Sequence, residues 1–344
     1  MPLLHCNGID LEAEVFPAPP SASASASAST STSTPASASA STSALEKATP
    51  LRLDTGGVDG IPILLIMGLG MQLTAWPALL VDGLNGLGHA VIRFDNRDIG
   101  LSTKRAEWGR PNLVAMALRQ AIGLPVHATY TLDDMAADTV GLLDALGVAR
   151  AHVLGVSMGG MIGQLLAAHY RERVASFTCV MSSSGARYLP GPTGKARRAL
   201  LSRPRDPHDH DAIVDHFVQV YRAIGSPGYP TPEPQLRMHI AHGVRRAHHP
   251  LGVVRQLAAI AASGDRSRLL RDIAAPTTIV HGRSDPLVPV AAAHDLARKI
   301  PGAELRIIDG MGHDLPEQLL PVLVDAVRDT IARTRPGSAS EAVA

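Results

Sequence analysis

Residues 151–170, AHVLGVSMGGMIGQLLAAHY, change from an apolar run to an amphipathic run across a stretch that holds four glycines and one serine. The apolar run predicts a buried strand and the amphipathic run a helix, so Ser157 falls at the turn between them. Such a turn strains its central residue and brings neighbouring backbones together, and Gly155 and Gly159 lack the side chains that would collide. The same pattern also fits a glycine-rich helix start that packs tightly or binds a phosphate. The turn makes Ser157 a candidate nucleophile.

The rest of the chain alternates between strand and helix patterns. Residues 3–16 fit a first strand, and six short apolar runs follow: IPILLIMG, HAVIRFD, AHVLGV, VASFTCVMS, APTTIVHG and AELRIID. Between them, TLDDMAADTVGLLDALG predicts a helix with Thr131 as its N-cap and Gly147 just past its end. This alternation predicts an α/β protein with a mostly parallel sheet covered by helices on both faces. Ligands of such sheets bind beyond the carboxyl ends of the strands.

Two of those strand ends carry residues that could assist a serine. Asp285 lies in RSDPLVP, directly after APTTIVHG, and His313 lies in GMGHDLP, directly after AELRIID. A serine hydroxyl is a poor nucleophile near neutral pH, so an imidazole must take its proton and a buried carboxylate must hold that imidazole in the right tautomer. Loops at one end of one sheet could supply all three groups.

These motifs, together with IMGLGMQLTAWP and VIRFDNRDIGLST, resemble the landmarks of the α/β-hydrolase-fold serine hydrolases. The resemblance covers nearly the whole chain apart from a Ser/Ala-rich stretch. It is nearest to the esterase branch that includes aclacinomycin methylesterase and the 3-oxoadipate enol-lactonases. It implies an eight-stranded, mostly parallel sheet with helices on both faces and a helical cap.

The resemblance also implies a role for each matching residue. Ser157 corresponds to the nucleophile, His313 to the general base and later acid, and Asp285 to the acid that orients the histidine. Together they form a catalytic triad that requires no cofactor and no metal.

An oxyanion hole is implied by the same resemblance. The backbone N–H of Met158 corresponds to one donor, and that of Leu69, in the loop MGLGM, to the other. The chain departs from the common pattern at Met67, where many relatives have histidine. This departure leaves the backbone of Met71 as an alternative donor.

Several neighbouring polar residues compete for these roles. Asp309 and Asp314 flank His313, but both are too near to it in sequence to reach its far nitrogen comfortably. His281 ends a strand and is interpreted as bonded within its own loop. The turn RFDNRDIGLS is predicted to satisfy buried backbone groups and hold a loop through Asp95, Arg97 and Asp98.

The domain organisation follows from composition. Residues 1–185 and 269–335 are predicted to form the hydrolase core, and 17–44, almost entirely Ser, Ala, Thr and Pro, to be a disordered insertion within it. Residues 186–268 lack strand signals and are predicted to form a helical cap over the site. Residues 336–344 are expected to form a flexible tail.

Two groups of residues in the loops and cap have alternative interpretations. A solvated helix start is favoured over a metal site for the cluster His208, His210, Asp211 and His216, because its spacing matches no familiar ligand motif. The insertion KRAEWGRPNLVAMALRQAIGLPVHATY predicts a loop and a short helix near the mouth of the site. Its apolar side chains could line the pocket or pack on the core, and they include Trp108, Leu113, Met116 and Leu118.

Composition limits the classes of partner. The 32 Lys+Arg nearly cancel the 31 Asp+Glu, so no overall excess of positive charge favours nucleic acid or an anionic membrane. The two cysteines offer neither a disulfide framework nor a metal motif, and no signal peptide is recognisable, which favours the cytoplasm. The chain is expected to be a monomer or a homodimer.

The function predicted from these observations is a carboxylic-ester hydrolase acting on small to medium esters through an acyl-enzyme. A lactonase, thioesterase or cofactor-free perhydrolase would use the same triad. A ligand-binding receptor on the same fold is the alternative outside enzymes.

Overall fold

The computed structural model describes residues 3–19 and 60–334, in which eight strands form one sheet in the order β1-β2-β4-β3-β5-β6-β7-β8. The strands are β1 (Leu3–Cys6), β2 (Ile9–Phe16), β3 (Ile63–Ile66), β4 (Val91–Phe94), β5 (Ala151–Val156), β6 (Val174–Val180), β7 (Thr277–Gly282) and β8 (Glu304–Ile308). Strands β3 to β8 pair in parallel, whereas β1 and β2 pair antiparallel. Apart from residues 17–19, the predicted insertion at 17–44 lies outside the described residues, and so does the predicted tail at 336–344.

Ten α-helices accompany the sheet within the described residues. They are α1 (Ala78–Asn85), α2 (Leu113–Ala121), α3 (Leu132–Ala145), α4 (Met158–His169), α5 (Gly194–Leu201), α6 (His210–Ile224), α7 (Glu233–Arg246), α8 (Pro250–Ser263), α9 (Ala291–Lys299) and α10 (Leu320–Ala332). None of the helices in this part of the chain is both long enough and apolar enough to cross a membrane.

Helices cover both faces of the sheet, as the sequence predicted. Along β3, Leu64 and Ile66 belong to the apolar core under α3, α4 and α9, whereas Ile63 and Leu65 belong to the core under α1 and α10. Successive side chains of a strand point to opposite faces, so a strand buried on both sides needs an unbroken apolar run. This explains why the central strands lack polar alternation. The fold is that of an α/β hydrolase.

The N-terminal segment differs from the prediction of one strand over residues 3–16. It is a hairpin, because the chain reverses at Asn7 and Gly8, whose φ angles are 49° and 76°. An Asn-Gly pair favours the two-residue turn in which both residues have positive φ, so residues 7 and 8 carry a hairpin signal in the sequence. The prediction of a single strand is therefore wrong.

Helix α3 shows how local sequence sets an element's ends. The Thr131 hydroxyl accepts from the Asp134 N–H, and the Asp134 carboxylate accepts from the Thr131 N–H, which forms a capping box. At the other end, Gly147 has a φ of 68°, a conformation that glycine adopts without a Cβ penalty. Both ends agree with the sequence-based prediction.

The segment between β6 and β7 contains the four helices α5 to α8. Helices α6 and α7 pack on each other through a small apolar cluster separate from the two cores of the sheet. Its buried members are Ile213, Val214, Val218, Leu236, Ile240 and Val244. Residues 186–268, described throughout, contain no strand, which agrees with the absence of strand signals there.

We expect Gly159→Ala to unfold the protein or destabilise it by about 3 kcal/mol or more, because overpacking at a close backbone contact cannot be relieved by a rotamer change. A Cβ at this position would lie 1.9 Å from the Ile66 carbonyl oxygen. Gly194→Ala is the matched control, since its Cβ would meet nothing within 4 Å and alanine favours a helix. Urea denaturation of both variants tests the expectation, and equal midpoints would contradict it.

Candidate active site

Ser157 lies at the turn from β5 to α4 in a strained backbone conformation, with φ 55° and ψ −116°. A Cβ at Gly155 would lie 2.4 Å from the Gly159 carbonyl oxygen, so the turn requires glycine there. The Ser157 N–H donates to Val180 O at 2.9 Å, and the Ser182 hydroxyl donates to Ser157 O at 2.8 Å. These contacts fix the turn so that the Ser157 hydroxyl stands at the carboxyl end of the sheet.

The structure brings Ser157, His313 and Asp285 together in one chain of hydrogen bonds. The Nε2 of His313 lies 3.0 Å from Ser157 Oγ, and its Nδ1 lies 2.7 Å from Asp285 Oδ2. A carboxylate only accepts, so Nδ1 carries the proton and Nε2 is free to accept from the serine hydroxyl. The three residues are separated by up to 156 positions in sequence. Their arrangement is suited to removing the proton from Ser157.

The loop that carries Asp285 is tied to the loop that carries His313. The N–H of Ser284 donates to Met311 O at 3.0 Å. The second oxygen of Asp285 accepts from the backbone N–H groups of Leu287 and Val288, each at 2.8 Å. Because Oδ1 is saturated by these two donors, Oδ2 is held towards the imidazole.

The segment after α6 holds the His313 loop from the other side. The His313 N–H donates to Ile224 O at 2.8 Å, and the Gly312 N–H donates to Ser226 Oγ at 2.8 Å. The Ser226 hydroxyl in turn donates to Asp314, a carboxyl whose pKa is raised by burial and held down in part by this hydrogen bond. The position of His313 therefore depends on the helices between β6 and β7.

The loop after β3 lies directly against Ser157. A Cβ at Gly68 would lie 3.2 Å from Ser157 Cβ, which places the backbone of this loop beside the candidate nucleophile. The Met71 N–H donates to Gly68 O at 3.3 Å, and the Gly70 N–H donates to Gln256 Oε1 at 2.9 Å. Among the described residues, the Leu69 N–H has no acceptor.

The second predicted donor belongs to the first turn of α4. Met158 is the first residue of this helix, so its N–H has no partner within the helix. Within the described residues, the N–H groups of Leu69 and Met158 thus have no acceptor, whereas the N–H of Met71 donates to Gly68 O.

The turn after β4 anchors loops and helices through buried charges, in agreement with its predicted structural role. Asp95 accepts from the backbone N–H groups of Leu73 and Leu101 and from Arg246 on α7, at 2.6, 2.9 and 2.7 Å. Asp98 accepts from the Tyr130 hydroxyl and from Arg255 on α8, and Arg97 donates to Asp138. These groups link the sheet to α7 and α8.

The rival candidates have other partners. Asp309 forms a surface ion pair with Arg283, and its side chain is 81% exposed. The Nε2 of His281 lies 2.7 Å from Val288 O, so it donates to that carbonyl and anchors the Asp285 loop. This agrees with the interpretation of His281 as a residue bonded within its loop.

Burial lowers the pKa of His281, and this has a consequence for stability. The unfolded chain gains a proton here below about pH 6.5, whereas the native imidazole stays neutral to lower pH. We expect stability to fall as pH drops below about 6.5, by up to about 1.4 kcal/mol per pH unit.

The test compares urea denaturation of wild type and His281→Gln at pH 7 and at pH 5.5. Glutamine retains an amide donor for Val288 but does not titrate, so the variant should lose less stability over this interval. A loss as large as that of the wild type would contradict the assignment of this pH dependence to His281.

Four residues that position the candidate site were not predicted from the sequence. They are Gln256, Ser226, Ser182 and Tyr221. All four belong to the segment between β6 and β7, up to 186 positions from the loop they contact, and no motif marks them. The Tyr221 hydroxyl lies 3.5 Å from Met71 Sδ, which brings α6 over the loop after β3.

The remaining sequence candidates do not join the site. Among the residues that the structure describes, no group of three His, Cys, Asp or Glu side chains could hold a metal ion. In the 208–216 cluster, α6 begins at His210, as the interpretation of a helix start predicts. In the insertion, Trp108 packs edge-to-face against Tyr130 with ring centroids 5.4 Å apart, and Met116 is buried. Leu118 is 66% exposed, so it does not pack on the core.

The chain is similar to known proteins of the α/β-hydrolase fold. Residues 61–222 match the family described as alpha/beta hydrolase fold. The rhodomycin D methylesterase DnrP of Streptomyces peucetius is 26% identical over 280 residues, which span 74% of this chain and 85% of that protein. A second rhodomycin D methylesterase, DauP of a Streptomyces strain, is 27% identical over 274 residues, with the same two coverages.

Solved structures show the same fold. A meta-cleavage product hydrolase from Pseudomonas fluorescens superposes with a TM-score of 0.65 at 15% identity, covering 97% of this chain and 98% of that one. The enol-lactonase from Burkholderia xenovorans gives 0.62 at 20% identity, covering 96% and 100%. The chain is therefore a hydrolase with the α/β-hydrolase fold. Its sequence is similar to those of the two methylesterases.

Proposed function

We propose that this protein is a serine esterase that hydrolyses small to medium carboxylic esters. The observation that carries the proposal is the continuous hydrogen-bonded chain from Ser157 Oγ through His313 to Asp285, at 3.0 and 2.7 Å. The similarity to two methylesterases supports an ester as the substrate.

Hydrolysis proceeds in two halves. His313 Nε2 takes the hydroxyl proton as Ser157 Oγ bonds to the ester carbonyl carbon, and the oxyanion accepts from the N–H groups of Leu69 and Met158. Collapse of this intermediate breaks the carbon–oxygen bond to the alcohol, which leaves with the proton from His313. Water then loses a proton to His313 and attacks the acyl carbon. The bond from that carbon to Ser157 Oγ breaks, His313 returns the proton to Ser157 Oγ, and the acid leaves. Each oxyanion donor contributes about 3 kcal/mol to the barrier reduction.

Substrate class is tested with p-nitrophenyl esters of increasing acyl length, alongside a lactone and a thioester series. We expect turnover of the esters, with the preferred chain length set by the helices α6 to α8. Labelling of Ser157 by a fluorophosphonate without turnover of any ester would contradict an esterase. Turnover of the lactone alone would then indicate a lactonase with the same residues.

A further inference from the structure

Two segments of this protein expose aliphatic side chains together with cations. They are residues 108–132, which include α2, and residues 183–201, which include α5; we call the surface that they form the basic–apolar face. Six cations and no acid occur in these two ranges, namely Arg110, Arg119, Arg187, Lys195, Arg197 and Arg198. The nearest acids in sequence are Glu107, Asp133 and Asp206. The whole chain is therefore nearly neutral, whereas these two ranges together carry six positive charges and no negative one.

Helix α2 presents its apolar side chains outward. It lies against α8, and Met116 is its one buried residue. Val114, Leu118 and Ile122 recur at intervals of four and are 78%, 66% and 68% exposed, so they form one solvent-facing stripe. A surface helix ordinarily turns such a stripe towards the core. The exposed aliphatic stripe of α2 therefore indicates a surface that contacts another molecule.

The second segment adjoins α2 and has the same character. A Cβ at Gly123, just past α2, would lie 3.6 Å from Nη1 of Arg187. In α5 only Ala196 is buried, and exposed apolar residues are again interleaved with exposed cations. The exposed residues of this segment include Tyr188, Lys195, Arg197, Arg198, Leu200 and Leu201.

From these observations we infer that the basic–apolar face docks the protein on the surface of a membrane that contains anionic lipids. Exposed Leu, Ile and Val side chains enter the boundary between headgroups and acyl chains, and Arg and Lys pair with the lipid phosphates. A second copy of this chain is disfavoured as the occupant, because a symmetric contact would bring two cationic faces together. Nucleic acid is disfavoured because its phosphates would pair with the cations but give the aliphatic stripe of α2 no apolar partner.

The face lies close to the candidate active site but uses none of its residues. Helix α8 separates the two: α2 packs on α8, and Gln256 of α8 accepts from the Gly70 N–H. Membrane docking is therefore independent of the proposed esterase chemistry, and Ser157→Ala should bind vesicles as the wild type does.

The test is cosedimentation of the full chain with vesicles of phosphatidylcholine, with and without added phosphatidylglycerol. We expect binding to the vesicles that contain phosphatidylglycerol and a decrease in binding with added salt. Arg197→Gln with Arg198→Gln should lower the partition coefficient about tenfold or more, since each cation near an anionic surface contributes about 1 kcal/mol. Arg150→Gln with Arg328→Gln removes the same charge from exposed positions before β5 and on α10 and should have little effect.

A second pair of variants tests how much the apolar side chains contribute to vesicle binding. Leu118→Gln with Ile122→Gln should weaken vesicle binding several-fold, whereas Leu79→Gln, at a residue of α1 that is 57% exposed, should not. Hydrolysis of a water-soluble ester by all these variants should equal that of the wild type.

Three results would overturn the proposal. The first is no binding to vesicles that contain phosphatidylglycerol. The second is an equal decrease in vesicle binding in the control variant Arg150→Gln with Arg328→Gln. The third is vesicle binding that is unchanged by the α2 substitutions and is abolished by a soluble RNA competitor. This result would indicate that the face binds a polyanion instead.

Discussion

Ser157→Ala should lower kcat/KM for a p-nitrophenyl ester by about 10⁴-fold or more, because no other group in the site is placed to form the acyl-enzyme. The Ser157 hydroxyl lies 3.0 Å from the His313 nitrogen that would take its proton. The residual rate would come from the oxyanion donors and from substrate binding. Ester hydrolysis and fluorophosphonate labelling, measured on both proteins, test this.

A matched control distinguishes loss of chemistry from loss of structure. Ser202→Ala removes an exposed hydroxyl that donates to Ala199 O at 2.6 Å, and it should leave kcat/KM unchanged. The urea midpoint of Ser157→Ala should be equal to or above that of the wild type, because the strained turn stays and only the hydroxyl is lost. Turnover by Ser157→Ala within tenfold of the wild type would show that Ser157 is not the nucleophile.

Asp285→Asn should lower kcat by about 10⁴-fold at neutral pH, with a small effect on stability. The carboxylate accepts two backbone N–H groups at Oδ1, and an asparagine carbonyl can take over those bonds. Its amide would then face Nδ1 of His313 as a donor. The imidazole would respond by carrying its proton on Nε2, where it cannot accept one from Ser157. Steady-state kinetics across a pH series provide the measurement.

The neighbouring acids give the controls for this prediction. Asp309→Asn removes only a surface pair with Arg283, so its kcat should stay close to that of the wild type. Asp314→Asn keeps an oxygen that accepts from the Ser226 hydroxyl, so it should lower kcat far less than Asp285→Asn does. If Asp309→Asn or Asp314→Asn proved as damaging as Asp285→Asn, the assignment of the orienting acid would be wrong.

The sheet and the strand ends could be predicted from the sequence because each depends on local rules. Buried parallel strands need continuous apolar runs, and a strained strand-to-helix turn needs glycine, so both leave marks in short windows. The N-terminal hairpin was predictable for the same reason, from Asn7 and Gly8, although it was interpreted as one strand. The candidate triad was locatable because each member follows a recognisable strand.

The residues that hold the candidate site could not be predicted in this way. Gln256, Ser226 and Tyr221 are ordinary helix or loop residues whose partners lie far away in sequence. Their importance comes from the way α6 to α8 fold back over the strand ends, which no periodicity encodes.

The sequence by itself determined the class of fold, the strained turn at Ser157 and the order of the acid and the histidine, because local propensity and strand ends encode them. Only the tertiary structure decided which N–H groups beside Ser157 remain free and what holds His313 in place, since hydrogen bonds between distant segments control both. It also showed that α2 exposes an aliphatic stripe and that α5 exposes apolar side chains interleaved with cations, although the whole chain is nearly neutral. Net charge is a sum over residues, whereas recognition depends on where the folded backbone places them.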